Sequence, residues 1–284
     1  MSINEYQINK LRGSTRPFEK AIIEYICLDT FVYIPNRKTL LSRPWLTILL
    51  DDYSKKVLAF YLSLNGPSYI SNMMVIRECV KSHSRLPETL LMNNGKEFKS
   101  DEFNNLLALF GTTVQFYPSP IRFESNDLSG IVNNFVRNEI EREESFWSMG
   151  NLKKSLSMLL YEVYDRKNHQ ALGTSPREIF QSTSYRIGKY GTRLIRYDNE
   201  FKLLTYPIVE RKVIEGRGIK NNNLYYWTIE FLQPTFNGKK VKVKFDPVDL
   251  DIAFVCINGS WKNLDRTSNF IEPRKKVRSI NIND

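Results

Sequence analysis

Short apolar runs separated by polar turns dominate the first part of the chain. Ala21–Leu28, Trp45–Leu50 and Val57–Ser63 read as three strands; Phe31–Ile34 and a polar turn through Asn36-Arg37-Lys38 follow the first, and a turn through Asp51-Asp52-Tyr53-Ser54 follows the second. Their close spacing predicts an antiparallel meander. Gly66-Pro67-Ser68 then offers an N-cap for a helix running to about Ser82, whose Ile70, Met73, Met74, Ile76 and Val80 fall roughly on one face. A further apolar run, Thr89–Asn93, stops at Asn94-Gly95 and is followed by Ser100-Asp101-Glu102, a capped helix start with acids in its first turn. A helix over Phe103–Phe110 and a strand at Thr113–Phe116 complete the order βββαβαβ, an α/β or α+β layer fold. Asn93 then stands at the carboxyl end of a strand, where open α/β sheets place their chemistry. A β-hairpin turn at Asn94-Gly95 is the competing reading of this stretch.

The pattern changes near Tyr197. Ile208–Ile214, Leu224–Phe231, Lys239–Phe245 and Ile252–Ile257 are apolar runs at close intervals, broken by Asn221-Asn222-Asn223, Asn237-Gly238 and Asn258-Gly259. They predict a small β-barrel, with Tyr225-Tyr226-Trp227 and Trp261 in its core. The expected organisation is a linker over 1–16, a core domain over 17–196, a barrel over 197–264 and a basic tail over 265–284.

Charge narrows the function. The 284 residues carry a formal net charge of +10, which favours a polyanionic partner, with nucleic acid first. In the barrel, Lys240, Lys242 and Lys244 alternate with Val241 and Val243, which would place three ammonium groups on one strand face with Lys239 at its start. Together with Arg274, Lys275, Lys276 and Arg278 in the tail they form the candidate phosphate contacts, although a merely solvated face explains the same pattern. Three scattered cysteines and two histidines argue against a disulfide framework, a zinc site or a Ser-His-Asp triad. No apolar run reaches membrane-spanning length, and a cytoplasmic, DNA-associated location is expected.

Several motifs then occur in one order. Asn93-Asn94-Gly95-Lys96-Glu97-Phe98 resembles the Asp-Asn-Gly-x-Glu-Phe signature of the DDE transposases and retroviral integrases. Arg43-Pro44-Trp45-Leu46-Thr47 with Asp51-Asp52-Tyr53-Ser54 is similar to a core motif of the Mu-type and TnsB-type bacterial transposases. Gly130–Phe135 and the segment Tyr164–Glu178 resemble two more, and Arg217-Gly218-Ile219, Tyr225-Tyr226-Trp227 and Lys244-Phe245-Asp246-Pro247 resemble the family's C-terminal barrel. The resemblance runs from Pro17 onward. It implies an α/β RNase H-like integrase catalytic core followed by a small all-β barrel, acting in DNA integration, recombination and transposition.

Members of that family hold two Mg²⁺ ions with two aspartates and a glutamate, which generate the nucleophile and stabilise in-line phosphoryl transfer. Matched onto this chain, the three positions are Glu24, Asn93 and Asn133. All three depart from the family residue. At ~4 Å and an effective dielectric of ~20, each unit charge lost against a divalent ion is worth roughly 8 kcal/mol before solvation offsets it. No metal and no other cofactor is therefore expected, and the resemblance implies a DNA-binding protein without catalysis. Two alternatives stay open. One is an active strand-transferase using substitute acids, with Asp29 and Asp127 ahead of Glu97 and Glu124. The other is an interaction subunit that binds a transposase or a regulatory ATPase.

Overall fold

The computed structural model describes residues 13–33, 42–93, 100–117, 126–143, 147–170, 172–184 and 194–267. Two compact units divide the chain, one ending at Thr205 and the other beginning at Tyr206.

The first unit is built on a five-stranded sheet. Its strands are β1 (Lys20–Cys27), β2 (Trp45–Asp51), β3 (Val57–Ser63), β4 (Thr89–Asn93) and β5 (Thr113–Tyr117), arranged β3-β2-β1-β4-β5. β1, β2 and β3 pair antiparallel as the expected meander, whereas β4 lies parallel to β1 and β5 parallel to β4. Parallel neighbours need crossovers, supplied here by α1 (Tyr69–His83) and α2 (Asp101–Leu109). Both helices start at serines. Ser68 caps α1, its backbone N–H donating to Ser71 Oγ at 3.1 Å, and Ser100 Oγ accepts from the Phe103 N–H at 3.3 Å. The carboxylates of Asp101 and Glu102 sit in the first turn of α2, where the helix dipole favours them.

Each face of the sheet carries its own core. Ala21, Ile23, Leu90 and Met92 point to one side, where they meet Met73, Met74, Ile76 and Val80 of α1 and Phe103, Leu106 and Leu107 of α2. On the other side Ile26, Leu46, Ile48 and Phe60 pack against α3 (Asn126–Glu143) through Leu128, Val132 and Val136, and against α4 (Met149–Met158) through Leu152 and Leu156. Because strand side chains alternate, the two cores share β1 and β2 residue by residue. A π-helical turn, Leu159–Tyr164, continues α4, and α5 (Pro176–Ser184) and α6 (Asn199–Thr205) follow. After β1, Val32 bridges to Trp147 and is buried in the second core instead of entering the sheet, and the Tyr33 N–H donates to the Trp147 carbonyl at 3.0 Å.

This arrangement, three antiparallel strands with two parallel strands appended beside the first and helices on both faces, is the RNase H-like fold. Among the described residues no helix is long and apolar enough to cross a membrane.

The second unit is a closed barrel. Its strands are β6 (Ile208–Ile214), β7 (Gly218–Asn221), β8 (Leu224–Trp227), β9 (Lys240–Phe245), β10 (Ala253–Ile257) and β11 (Ser260–Thr267), in the order β10-β11-β8-β7-β6-β9. Closure removes sheet edges and encloses Val213, Ile219, Tyr226, Val243, Val255 and Leu264. Gly218 has a positive φ of +73°, and a Cβ there would stand 2.2 Å from the Tyr226 carbonyl oxygen, so only glycine fits. The fully buried Tyr226 donates its hydroxyl proton to the Leu250 carbonyl at 2.7 Å.

Candidate functional site

The antiparallel register sets Glu24 opposite Ile48, a member of the core beneath α3. Glu24 therefore projects to the α3 face of the sheet. The parallel register pairs Lys20 with Thr89, Ala21 with Leu90 and Ile22 with Leu91. Carried two residues further along both strands, it brings Glu24 level with Asn93. Leu90 and Met92 feed the opposite core, so alternation turns Asn93 to the same face as Glu24. Neighbouring strands lie about 4.8 Å apart, which makes these residues side-by-side neighbours.

Asn133 arrives from α3. It follows Val132, which is buried against the sheet, and its Oδ1 accepts the Asp29 backbone N–H at 3.0 Å, two residues beyond the end of β1. The strand ends and the helix thus bring the three sequence-matched positions to one end of the sheet. Their donor set is one carboxylate and two amides.

Asp29, whose backbone N–H meets Asn133, is already engaged through its carboxylate. Its two carboxylate oxygens accept from Arg43 and from Arg137, one turn of α3 beyond Asn133. Arg43 also donates through Nε to the Leu28 carbonyl at 2.8 Å. The two guanidiniums compete with any further cation for the Asp29 carboxylate. Arg43 opens one of the matched motifs, but the sequence does not mark Asp29 as its partner, and no local signal marks Arg137. Asp127 falls in the first turn of α3, six residues and about 120° of helical rotation from Asn133. Its side chain lies outside the described part, as do Glu97 and Glu124.

Other acids in the matched motifs serve the fold. Asp51 is fully buried; one oxygen accepts the Phe18 N–H at 2.8 Å and the other accepts the Ser54 N–H at 2.8 Å and hydroxyl at 2.7 Å. Burial pushes its carboxyl up, opposed by these hydrogen bonds. Asp165, 1% exposed, pairs with Lys56 at 2.5 Å and Arg177 at 2.9 Å. Arg177 also donates to the Tyr161 carbonyl at 2.7 Å, tying α5 to the π-helical turn. Ser175 and Glu178 form a reciprocal cap ahead of α5, with Pro176 in its first turn. The segment Tyr164–Glu178 is thereby a structural clasp.

On the barrel, β9 departs from the expected stripe. Lys239, Lys240 and Lys242 are exposed, but Lys244 is only 6% exposed and its ammonium lies 5.0 Å from the centroid of the Trp261 ring. The cause is the β10–β11 hairpin. Lys244 pairs with Ile208 on one side and Phe254 on the other, and the hairpin covers the face that alternation alone left open to water. Lys242 lies across from Glu210, whereas Lys240 lies across from the exposed Lys212, a cation the sequence reading passed over. Arg274, Lys275, Lys276 and Arg278 lie outside the described residues.

Residues 202–260 match the family described as Mu transposase, C-terminal, covering β6 through β10. The transposase for transposon Tn552 of Staphylococcus aureus is 22% identical over 269 residues, a match that takes in both units and 87% of this chain. The chain is similar to the Mu-type transposases over its barrel and, more distantly, to this transposase across both units. It spans about half the length of this curated relative, 53%. Among solved structures, the HTLV-2 integrase catalytic core domain in complex with magnesium aligns with 60% of this chain and 99% of its own, at 14% identity and a TM-score of 0.44. A simian T-cell lymphotropic virus intasome in complex with PP2A regulatory subunit B56 gamma aligns with 91% of this chain and 84% of its own, at 13% identity and the same TM-score. The RNase H-like assignment rests on strand order and register.

The two-metal arrangement that the motif resemblance implies does not fit the residues present. Two neutral amides occupy positions where charge is required, Asp29 is held by two arginines, and among the described residues no cluster of three or more His, Cys, Asp or Glu side chains is placed to hold an ion.

Proposed function

We propose that this protein is a transposase-like DNA-binding subunit that carries out no strand transfer of its own. The observation that carries the reading is the donor set at the end of β1 and β4: Glu24 beside Asn93, with the Asn133 amide engaged by the Asp29 backbone. Amide oxygens are neutral ligands, and Mg²⁺ held without substrate normally takes one or two carboxylates in octahedral geometry. Glu24 is one methylene longer than aspartate, a displacement beyond the ~0.5 Å that functional sites tolerate. The arginine pair engages Asp29, one of the replacement acids.

DNA is the partner this reading assigns, through phosphate contacts by Lys212, Lys239, Lys240 and Lys242 on the barrel and by Arg274, Lys275, Lys276 and Arg278 beyond it. Such contacts read charge rather than base sequence, so binding weakens steeply with salt. In this role the chain positions DNA within a transposition assembly, and another transposase subunit supplies the chemistry.

Two assays on the full chain test the reading. Pre-cleaved transposon-end DNA incubated with Mg²⁺ or Mn²⁺ yields no strand-transfer product above background. Anisotropy titrations of duplex DNA at rising salt give a falling affinity. Robust strand transfer abolished by Asp29→Ala or Asp127→Ala would replace this reading with an active enzyme using substitute acids, and a flat salt response would redirect it to a protein partner.

A further inference from the structure

The two tyrosines of β8 have opposite environments. Tyr226 is fully buried in the barrel core, and alternation turns the adjacent Tyr225 outward, where it is half-buried. Two exposed cations border the outward ring. The Arg217 guanidinium carbon lies 5.9 Å from its centroid and Lys220 Nζ lies 5.8 Å away. Lys220 is the direct cross-strand partner of Tyr225 on β7, and Thr267 is its partner on β11. From Thr267 the sequence continues to Arg274-Lys275-Lys276-Val277-Arg278. The approach of Arg217 depends on Gly218, whose lack of a Cβ lets β7 lie against the Tyr226 carbonyl.

Cation–π contacts of exposed side chains near 6 Å are at the weak end of their range, so both cations exchange readily for other partners. A base stacked on an aromatic face is a stronger contact, and it tolerates any base because each has a π-face. Resting on the reading of this chain as DNA-binding, we propose that Tyr225, Arg217 and Lys220 form a site for an unpaired nucleotide of DNA. The base stacks on Tyr225, and the flanking phosphate takes Arg217 and Lys220 in place of their contacts with the ring. Duplex DNA keeps its bases stacked and does not use the ring. The site therefore separates single-stranded from double-stranded binding, whereas the exposed lysines of β6 and β9 contribute to both.

The test uses the full chain and two labelled probes, an oligothymidine of about 12 nucleotides and a duplex of equal length, followed by fluorescence anisotropy. Tyr225→Ala is expected to weaken oligothymidine binding about tenfold or more, with duplex affinity changed less than about twofold, while Tyr225→Phe keeps single-strand affinity near the parent value. Lys220→Glu alters an exposed charge without removing the ring. It is expected to weaken single-strand binding several-fold and to flatten its salt dependence, which keeps the test decisive if Tyr225→Ala fails to fold. Unchanged oligothymidine affinity in both variants, or equal losses on both probes, would overturn the proposal while leaving salt-dependent duplex binding intact. A parent chain that binds neither probe would remove the DNA-binding reading and this site with it.

Discussion

Two sets of carboxylate positions in the first unit have had different fates. At the β2–β3 turn and the clasp after the π-helical turn, Asp51 and Asp165 are buried and accept hydrogen bonds or ion pairs from several elements. At the end of β1 and β4, the three matched positions carry Glu24, Asn93 and Asn133. The acids that hold the fold are present where those that would hold metal are changed. A carboxylate enclosed by donors cannot be lost without leaving those donors unsatisfied. A metal ligand facing an open strand end carries no such penalty, so under the proposed reading it can change while the scaffold stays intact.

The sharpest way to break this comparison is at Asp165. Asp165→Ala leaves the Lys56 ammonium, with a side chain only 16% exposed, without its ion-pair partner, and is expected to cost about 3–5 kcal/mol in chemical denaturation. A loss below about 1 kcal/mol would mean that the clasp is ornamental, placing Asp165 in the same class as the changed positions.

Asp51 gives a smaller effect with a pH signature. Burial holds its carboxyl above the ordinary value of 3.8, so the folded chain takes up this proton more readily than the unfolded chain. Its contribution to stability is then greatest below 3.8 and is lost as pH rises through the raised value. Asp51→Asn removes the titration and turns an amide NH₂ toward either the Phe18 N–H or the Ser54 donors. The variant is expected to be less stable by about 1–3 kcal/mol at pH 4, with the gap narrowing toward pH 7. Denaturation at both pH values reads this directly, and a gap that widens with pH contradicts it.

The smallest effect belongs to the arginine pair. Arg137 is 57% exposed in its side chain, so Arg137→Ala is expected to change stability by about 0–1 kcal/mol, measured by thermal melting. A loss comparable to that at Asp165 would make the corner a structural strut, and the contrast between the two sets would disappear.

Much of this was legible in the sequence for local reasons. The meander, the Ser68 and Ser100 helix starts and Asn93 at a strand end follow from alternation, capping and turn chemistry, which act over a few residues. What escaped depends on distant partners. Asp29 and Arg137 are 108 residues apart, and nothing near either one announces the other. Lys244 reads as solvent-facing because alternation assigns a face but not what covers it; the β10–β11 hairpin does that. β7 and β11 were missed because one is four residues long and the other, Ser-Trp-Lys-Asn-Leu-Asp-Arg-Thr, is mostly polar, its place in the barrel fixed by pairing rather than hydrophobicity. The need for glycine at 218 likewise appears only once β8 is beside it.

The central claim, that this strand end has lost its metal site through its own donor set, is tested most directly by calorimetric titration of Mn²⁺ into the unmodified chain and into the triple variant Glu24→Asp, Asn93→Asp, Asn133→Glu. The account predicts no saturable binding heat for the unmodified chain and a saturable, stoichiometric signal for the triple variant, with each single substitution recovering little because ligands acting as a unit are not additive. Stoichiometric Mn²⁺ binding by the unmodified chain, lost on Asp29→Ala or Asp127→Ala, would contradict it.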